Sequence, residues 1–351
     1  MSTEKPLTRE DVLKLIEANG GTAKGLDLSR RNLQGIDLSR LDLKSISLNG
    51  AALTGAKLHG AILTEAGLQG ADLRGADLSH IYGRAITLED ARLQGDSLRL
   101  AVLSEANLKG TDLQGADLRR AALREANFER ASLLSADVRG ADLSLANFRG
   151  AVLWGAIPEG AFLGATNLQG TLLEGVRWGR RHSFLGPQYK VGEETIGKWL
   201  EAELTYRSLR RLHAEQGMYD RAGDFFFREM TVKRKQMKLW SLSRAWSKLV
   251  SLICGYGEIP ERTVAWGACW LLGLALVYWL LQAVYPFTLT AEGFLASLYY
   301  SSVSFTSLGY GPWFLADSVR GWAQGVGAFE SLMGAFTIAL FLVTFTRKMT
   351  R

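Results

Sequence analysis

The stretch AALTGAKLHGAILTEAGLQGADLRGADLSH, residues 51–80, repeats a five-residue unit whose central leucine follows a small residue by two positions. The same register runs from Leu26 to Arg180 without an insertion, which makes 31 pentapeptides. The central position is Leu or Phe in 27 of them, and the position two residues earlier is Ala in 19. A period of five matches neither an α-helix nor a β-strand, so each repeat is expected to turn a corner and point its central residue at one axis.

This pattern resembles the pentapeptide-repeat family, whose A-D/N-L-x-x units build a right-handed, four-sided β-helix. The resemblance covers residues 26–180 and implies four repeats per coil, nearly eight coils and an axial length of roughly 37 Å. A helix is predicted before it, from Leu7 to Ala18, and it starts with a capping box at Thr8 and Asp11. We expect this N-terminal segment, residues 1–25, to cover the open end of the β-helix.

The charge of the repeat region is balanced, because residues 26–180 hold 18 acidic and 18 basic side chains. Members of the family that mimic DNA need a strongly acidic surface, and that function is therefore not expected here. A rigid spacer, or a docking platform for a cytosolic protein, fits the neutral balance better.

The net charge of +6 comes mainly from residues 181–259, with 14 basic and 9 acidic side chains. This basic segment runs directly into an apolar stretch, as cytosolic flanks of membrane spans do. No nucleic-acid partner is therefore expected.

Residue chemistry gives no support for an enzyme. The two cysteines, Cys254 and Cys269, form neither a disulfide framework nor a zinc motif, and the four histidines are scattered. The sequence contains no catalytic cluster and no phosphate-binding loop, so no cofactor is predicted. The N-terminal residues lack the apolar core of a signal peptide and are expected in the cytosol.

Between the repeats and the apolar region, residues 181–240 are predicted to form a linker with a helical hairpin. Its helices are expected at Thr195–Gln216 and at Tyr219–Met237. The first has a predicted apolar face formed by Ile196, Trp199, Leu200, Leu204, Leu209 and Leu212.

A third helix, Leu242–Ile253 within the segment 241–259, has an apolar face and an opposite face that carries Arg244 and Lys248. A basic amphipathic helix of this kind suits a membrane interface and contact with lipid headgroups. It resembles the sliding helix before the first span of inward-rectifier channels. That resemblance makes Arg244 and Lys248 candidates for gating.

Residues 260–351 are predicted to form a pore domain with two spans, 263–283 and 321–346. Arg262 and the basic residues after the second span place both ends of the domain in the cytosol, while Tyr278, Trp279 and Tyr285 are expected at the outer interface. The segment between the spans, 291–311, contains an apolar helix-length run. We expect a re-entrant pore helix there, because irregular backbone at membrane depth is tolerated where it lines a pore.

The run Thr306, Ser307, Leu308, Gly309, Tyr310, Gly311 resembles the selectivity filter of potassium channels, T-T/S-hydrophobic-G-Y-G. Its setting, after a pore helix and between two spans, matches that family over residues 242–351. The resemblance implies that the carbonyls of Ser307, Leu308, Gly309 and Tyr310 replace the water shell of K⁺, the permeant ion. Tyr299 and Tyr300 take the positions of a supporting aromatic pair. One chain cannot close such a ring, so a homotetramer is implied.

The second span contains one charge, Glu330, and an intramembrane carboxylate is a functional candidate. The alternative is a structural hydrogen bond behind the filter, in place of the pore-helix glutamate that some relatives carry where this chain has Val303. Four residues later, Gly334 is a candidate gating hinge by the same resemblance.

The sequence therefore predicts a multidomain chain: a β-helix, a helical linker and an α-helical two-span pore. The predicted function is a tetrameric potassium-selective channel in a bacterial inner membrane, with both termini cytoplasmic. A poorly selective cation channel is one alternative. The other is a membrane-tethered scaffold whose repeats bind a protein.

Overall fold

The computed structural model describes residues 5–179, 181–182, 186–306, 315–316 and 320–349. The chain divides into two compact units, one of residues 1–181 and 187–218 and one of residues 182–186 and 219–351. The division falls between the two helices that were expected to form a single hairpin in the linker. Those helices therefore belong to different units.

The repeats form a β-helix whose successive coils are joined by parallel bridges, from Asp27 with Ser47 to Val152 with Leu172. Each bridge joins residues four pentapeptides apart, so the predicted four repeats per coil are confirmed. The inward positions are filled as the pattern predicts, with Ala51 and Leu53 both 0% exposed. Alanine and leucine alternate inside because the interior of one coil has no room for two large side chains.

The last residue of each pentapeptide closes the turn in a left-handed backbone conformation. Gly50 has a φ of +67° and Arg30 one of +59°. Glycine pays no steric penalty in this region, which explains why so many repeats end in Gly.

The N-terminal end of the β-helix is covered by helix α1, Arg9–Ala18. The predicted capping box is present, with Thr8 as the N-cap and Asp11 as its partner. Val12 is fully buried, and the Leu7 N–H donates to the Asn32 carbonyl at 2.9 Å. Helix α1 thus covers the open end of the β-helix, where the backbone of the first coil would otherwise be unpaired.

The C-terminal end is closed by a segment that was predicted to be plain linker. The Gly192 N–H donates to the Ala161 carbonyl at 2.7 Å, and the Leu163 N–H donates to Glu193 Oε1 at 2.7 Å. These bonds replace those of a further coil, and burial raises the pKa of the Glu193 carboxyl. The final predicted repeat, 176–180, forms no parallel bridge among the described residues.

Two short strands, β1 (Arg181–His182) and β2 (Gly186–Pro187), and helices α2 (Gly192–Thr195) and α3 (Trp199–Glu215) follow the repeats. Helix α3 begins at Trp199 rather than Thr195, because Gly197 adopts a φ of +80°. Its predicted apolar face is confirmed at Leu209, which is 1% exposed, but not at Leu200 and Leu204, which are 63% and 50% exposed. Tyr206 is buried instead, and its hydroxyl donates to Glu194 Oε2 at 2.8 Å.

The second unit is helical. Its elements are α4 (Tyr219–Gln236), α5 (Leu242–Cys254), a 3₁₀ turn (Gly255–Gly257), α6 (Pro260–Leu280), α7 (Ala291–Phe305) and α8 (Arg320–Met349). Helix α6 starts and ends slightly before the predicted span, because Pro260 occupies its first turn and Gln282 has a left-handed φ of +49°. Helix α7 lies against both α6 and α8.

One inward position of the β-helix holds a carboxyl group. Asp96 is 1% exposed and occupies the position that Ala76 and Ala116 fill in the neighbouring coils. Its Oδ1 accepts from the Ala76 N–H at 3.1 Å, while Oδ2 has no partner among the described residues. Burial raises the pKa of Asp96 to about 8.

Asp96→Ala should stabilise the β-helix at neutral pH. The folded state holds a proton that the unfolded state releases above a pKa of about 4, so the free energy of unfolding falls as pH rises from about 4 to 8. The gain from Ala should therefore grow across that window, to the order of a few kcal/mol. The Ala76 N–H keeps its bond to the Leu73 carbonyl at 2.8 Å.

Hydrogen exchange of repeat peptides in the full-length chain, at pH 5 and pH 8, measures this effect. Asp142→Ala, at an outward-facing position, is the matched control. A gain that does not change with pH would contradict the burial of a neutral Asp96.

Candidate functional site

Two helices of the described chain are long and apolar enough to cross a membrane: Pro260–Leu280 and Arg320–Thr346. In each helix, 22% of the most apolar 18-residue stretch is buried, and the rest of that stretch is accessible in the single chain. Leu332 and Phe336 on α8 are 67% and 54% exposed. Apolar faces of this extent are compatible with membrane insertion.

The two tyrosines predicted to support the filter differ in burial. Tyr300 is 2% exposed and meets Tyr278 edge-on, with ring centroids 5.0 Å apart. Its hydroxyl donates to the Ala323 carbonyl at 3.4 Å, so it ties α7 to α6 and α8. Tyr299, by contrast, is 62% exposed.

Glu330 lies at the point where α6, α7 and α8 meet, and it is 0% exposed. The Tyr278 hydroxyl contacts Oε2 at 3.1 Å, and the Ser301 hydroxyl contacts Oε1. Ser301 also lies 2.9 Å from the Leu271 carbonyl. One carboxyl group thus joins the first span, the pore-helix segment and the second span through hydroxyl groups.

Sequence reasoning named Glu330 but missed both of its hydroxyl partners. Tyr278 was expected toward the outer membrane interface; it is 0% exposed within the helical unit, and its depth in the membrane stays a prediction. Ser301 carried no signal, since serine is common on helix faces that contact other helices.

Gly334 lies where α8 passes the end of α7. A Cβ there would overlap the carbonyl oxygen of Phe305, a backbone atom that cannot rotate away. Beside it, the Ser331 hydroxyl donates to the Ser304 carbonyl at 2.7 Å. The helix continues without a break through Gly334. The close approach gives this glycine a packing role, and its role as a hinge stays a prediction.

Of the predicted filter, the structure places Thr306 alone. Thr306 is the C-cap of α7, and its hydroxyl donates to the Ser302 carbonyl at 2.8 Å. Ser307, Leu308, Gly309, Tyr310 and Gly311 lie outside the described residues. The motif therefore begins where the helix held by Glu330 ends.

Helix α5 carries the two basic gating candidates. The Arg244 guanidinium donates to the Met237 carbonyl at 2.8 Å, and Lys248 is exposed. The apolar side of the helix is uncovered in this chain, with Leu242 87% and Trp246 65% exposed.

The junction between α5 and the first span was not foreseen from the sequence. Phe227 of α4 packs with Tyr256 and Ile259 in one buried cluster. The Arg262 guanidinium donates to the Ser251 carbonyl at 2.5 Å and lies 5.4 Å from the centre of the Phe227 ring. These contacts fix α4 and α5 to the start of α6.

Comparison with known proteins concerns the repeats. A family model described as pentapeptide repeats matches residues 24–60, 42–79, 85–120 and 111–150, with 8 copies of the unit. No protein of curated function matches the chain.

Several solved structures are similar to the repeat region. HetL from the cyanobacterium Nostoc is 26% identical over 49% of this chain and 95% of its own, with a TM-score of 0.18. Rfr23 from the cyanobacterium Cyanothece is 27% identical over 48% and 92%, with a TM-score of 0.17. QnrB1, a plasmid-mediated fluoroquinolone resistance protein, is 20% identical over 44% and 84%, with a TM-score of 0.26. The matched family model and the ladder of parallel bridges agree: the N-terminal part of this chain is a β-helix of pentapeptide repeats.

Proposed function

We propose that this chain is one subunit of a tetrameric, potassium-selective channel in a bacterial inner membrane, with its repeats in the cytosol. The observation that carries the proposal is the position of α7. It lies against both candidate spans and ends at Thr306, directly before the Ser-Leu-Gly-Tyr-Gly run. Non-helical backbone at membrane depth is tolerated only where protein buries it or where it lines a water-filled cavity, and a pore meets this condition.

The residue types of the filter motif fit the chemistry of a bare cation. Potassium gives up its hydration shell only where several oxygens replace it, and backbone carbonyls of a ring of subunits can do so. The C-terminal end of α7 carries a partial negative charge, which adds a favourable field for a cation near Thr306. Protein oxygens of the backbone, rather than acidic side chains, would bind the ion.

The exposed faces of the spans are the second support. Leu332 and Phe336 need either lipid or another copy of the chain in contact with them. Four copies around one axis would cover part of these faces and bring four filter segments together. The uncovered apolar side of α5 would lie in the membrane interface, with Lys248 toward lipid headgroups.

The purified full-length protein should run as a tetramer in mild detergent and release K⁺ from loaded liposomes. The physical reason is that a carbonyl ring requires four copies of the motif. Cross-linking and light scattering give the copy number, and a potassium-sensitive dye gives the flux. A conducting monomer or dimer would contradict the filter assignment.

A membrane-tethered scaffold remains the second candidate, and one feature of the repeat unit favours it. Near its C-terminal end the β-helix exposes Trp154 and Leu172, at 58% and 57%, in a groove that Gln216 also lines. Protein without ion flux in liposomes, under any ionic condition tried, would favour the scaffold.

A further inference from the structure

Glu330 and its neighbours form three close oxygen–oxygen contacts, but the two neighbouring hydroxyl groups supply only two protons. Three oxygen–oxygen contacts form a chain: Tyr278 Oη with Glu330 Oε2, Glu330 Oε1 with Ser301 Oγ, and Ser301 Oγ with the Leu271 carbonyl. Two oxygen atoms within hydrogen-bond distance repel each other unless a proton lies between them, so each contact requires one shared proton. Tyrosine and serine each bring one hydroxyl proton, and a carbonyl brings none. Two protons are thus available for three contacts.

An ionised Glu330 leaves the chain incomplete. If Ser301 donates to the carboxylate, its lone pairs face the Leu271 carbonyl at 2.9 Å without a proton between them. If Ser301 donates to Leu271, the same repulsion arises with Glu330 Oε1. In either arrangement, a charge that is 0% exposed is held by neutral hydroxyls, which is costly.

A neutral carboxyl group completes the chain. The Glu330 Oε1–H then donates to Ser301 Oγ, Ser301 donates to the Leu271 carbonyl, and Tyr278 donates to Oε2. Every oxygen–oxygen contact has one proton, and no charge is buried.

Among the residues that the structure describes, no basic side chain pairs with Glu330. Within the described part of the chain, Tyr278 on α6 and Tyr300 on α7 are the titratable groups packed at this junction. The described charged residues of these helices lie near helix ends: Glu261, Arg262, Glu292, Arg320 and Lys348. Among the described residues, the hydrogen-bond partners of Glu330 are hydroxyl groups.

We propose that Glu330 works as a neutral acid whose proton completes a hydrogen-bond chain across α6, α7 and α8 and so positions the pore helix. The inference rests on the proposed channel function and adds a condition for it. Loss of the proton leaves one repulsive oxygen pair beside Ser301, with either the Leu271 carbonyl or Glu330 Oε1, which loosens α7 from its neighbours. Because α7 ends at Thr306, the filter then loses its support, and conduction should fall as pH rises.

Glu330→Gln separates the proton from the charge. The amide N–H donates to Ser301 and the amide oxygen accepts from Tyr278, so the variant keeps all three contacts and cannot ionise. Ser301→Ala removes the middle of the chain at every pH. Glu292→Gln, at the exposed start of α7, is the matched control for removal of an acid.

The experiment measures open probability and K⁺ flux of the full-length chain in liposomes from pH 5 to pH 10. Wild type and Glu292→Gln should lose open probability by about tenfold per pH unit above one midpoint, as a single proton requires. Glu330→Gln should stay flat at the acid-side level of wild type. Ser301→Ala should be impaired at all pH values. A wild type as flat as Glu330→Gln, or a Glu330→Gln that keeps the pH dependence, would overturn the proposal.

A second measurement keeps this inference separate from the channel assignment. In detergent, the unfolding temperature of wild type and of Glu292→Gln should decrease as pH rises. In Glu330→Gln, the part of this decrease that comes from ionisation of Glu330 should be absent. If no variant conducts but this difference is present, the channel function fails and the protonated Glu330 stands. Equal pH profiles for wild type and Glu330→Gln would refute the neutral acid.

Discussion

Replacing Gly334 with alanine should destroy the packing of α7 against α8 and abolish ion flux. The Cβ would overlap the Phe305 carbonyl oxygen, and the next nearest atoms are also backbone atoms of Phe305. A flexible side chain could move aside, but the end of a packed helix can do so only by shifting as a whole. Overpacking of this kind costs about 1–3 kcal/mol, and more where backbone must move.

The matched control for this change is Gly325→Ala on the same helix, because a Cβ there meets nothing within 4 Å in the described part of the chain. Unfolding temperature, tetramer content and potassium flux should all fall for Gly334→Ala and stay near wild type for Gly325→Ala. A Gly334→Ala protein of normal stability with a changed open probability would instead support the hinge that the sequence resemblance implies.

The second large effect is expected at Gly309. In the proposed filter, successive carbonyls point toward one axis, which requires backbone conformations that residues with a Cβ resist. Gly309→Ala should therefore remove the discrimination between K⁺ and Na⁺, while the repeats and α7 stay folded. The loss of selectivity should be large, because the carbonyl oxygens of the filter replace the hydration shell of the ion.

Thr306→Ser is the control for Gly309→Ala, since it keeps the hydroxyl that donates to the Ser302 carbonyl. Permeability ratios from reversal potentials should collapse toward unity for Gly309→Ala and remain selective for Thr306→Ser. An unchanged ratio in the alanine variant would remove Gly309 from the filter.

The β-helix was predictable because each of its coils obeys one local rule. The period of five determines which residues face inward, and the structure buries the central residue of each repeat from Leu28 to Leu163. Asp96 could have been found by the same rule, since it breaks the column of small inward residues. The cap formed by Glu193 could not, because it depends on where a segment thirty residues away returns to the last coil.

The helical unit was predictable in its elements and less so in its contacts. Helices α4 and α5 start at the predicted residues and end within one residue of the predicted positions. Apolar periodicity was misleading for part of α3: Leu209 is buried as predicted, but Leu200 is exposed, and Tyr206 is buried with its hydroxyl paired to Glu194. Hydrogen bonds of buried polar groups can outweigh apolar periodicity, and single-helix patterns do not show them.

At the pore site, too, the sequence indicated single residues but not the contacts between helices. Glu330 was identifiable because a charge in an apolar span is rare. Its partners Tyr278 and Ser301 come from two other helices, and the packing that brings them together has no counterpart in the local sequence. The role of Gly334 likewise depends on a carbonyl at the end of another helix.

The most direct test of the central claim is the reversal potential of the purified full-length protein in a planar bilayer with K⁺ on one side and Na⁺ on the other. A potassium-selective filter predicts a reversal potential displaced toward the K⁺ equilibrium value, and loss of that displacement in Gly309→Ala. A wild-type current that reverses near zero would contradict selectivity, and the absence of any current would contradict the channel itself.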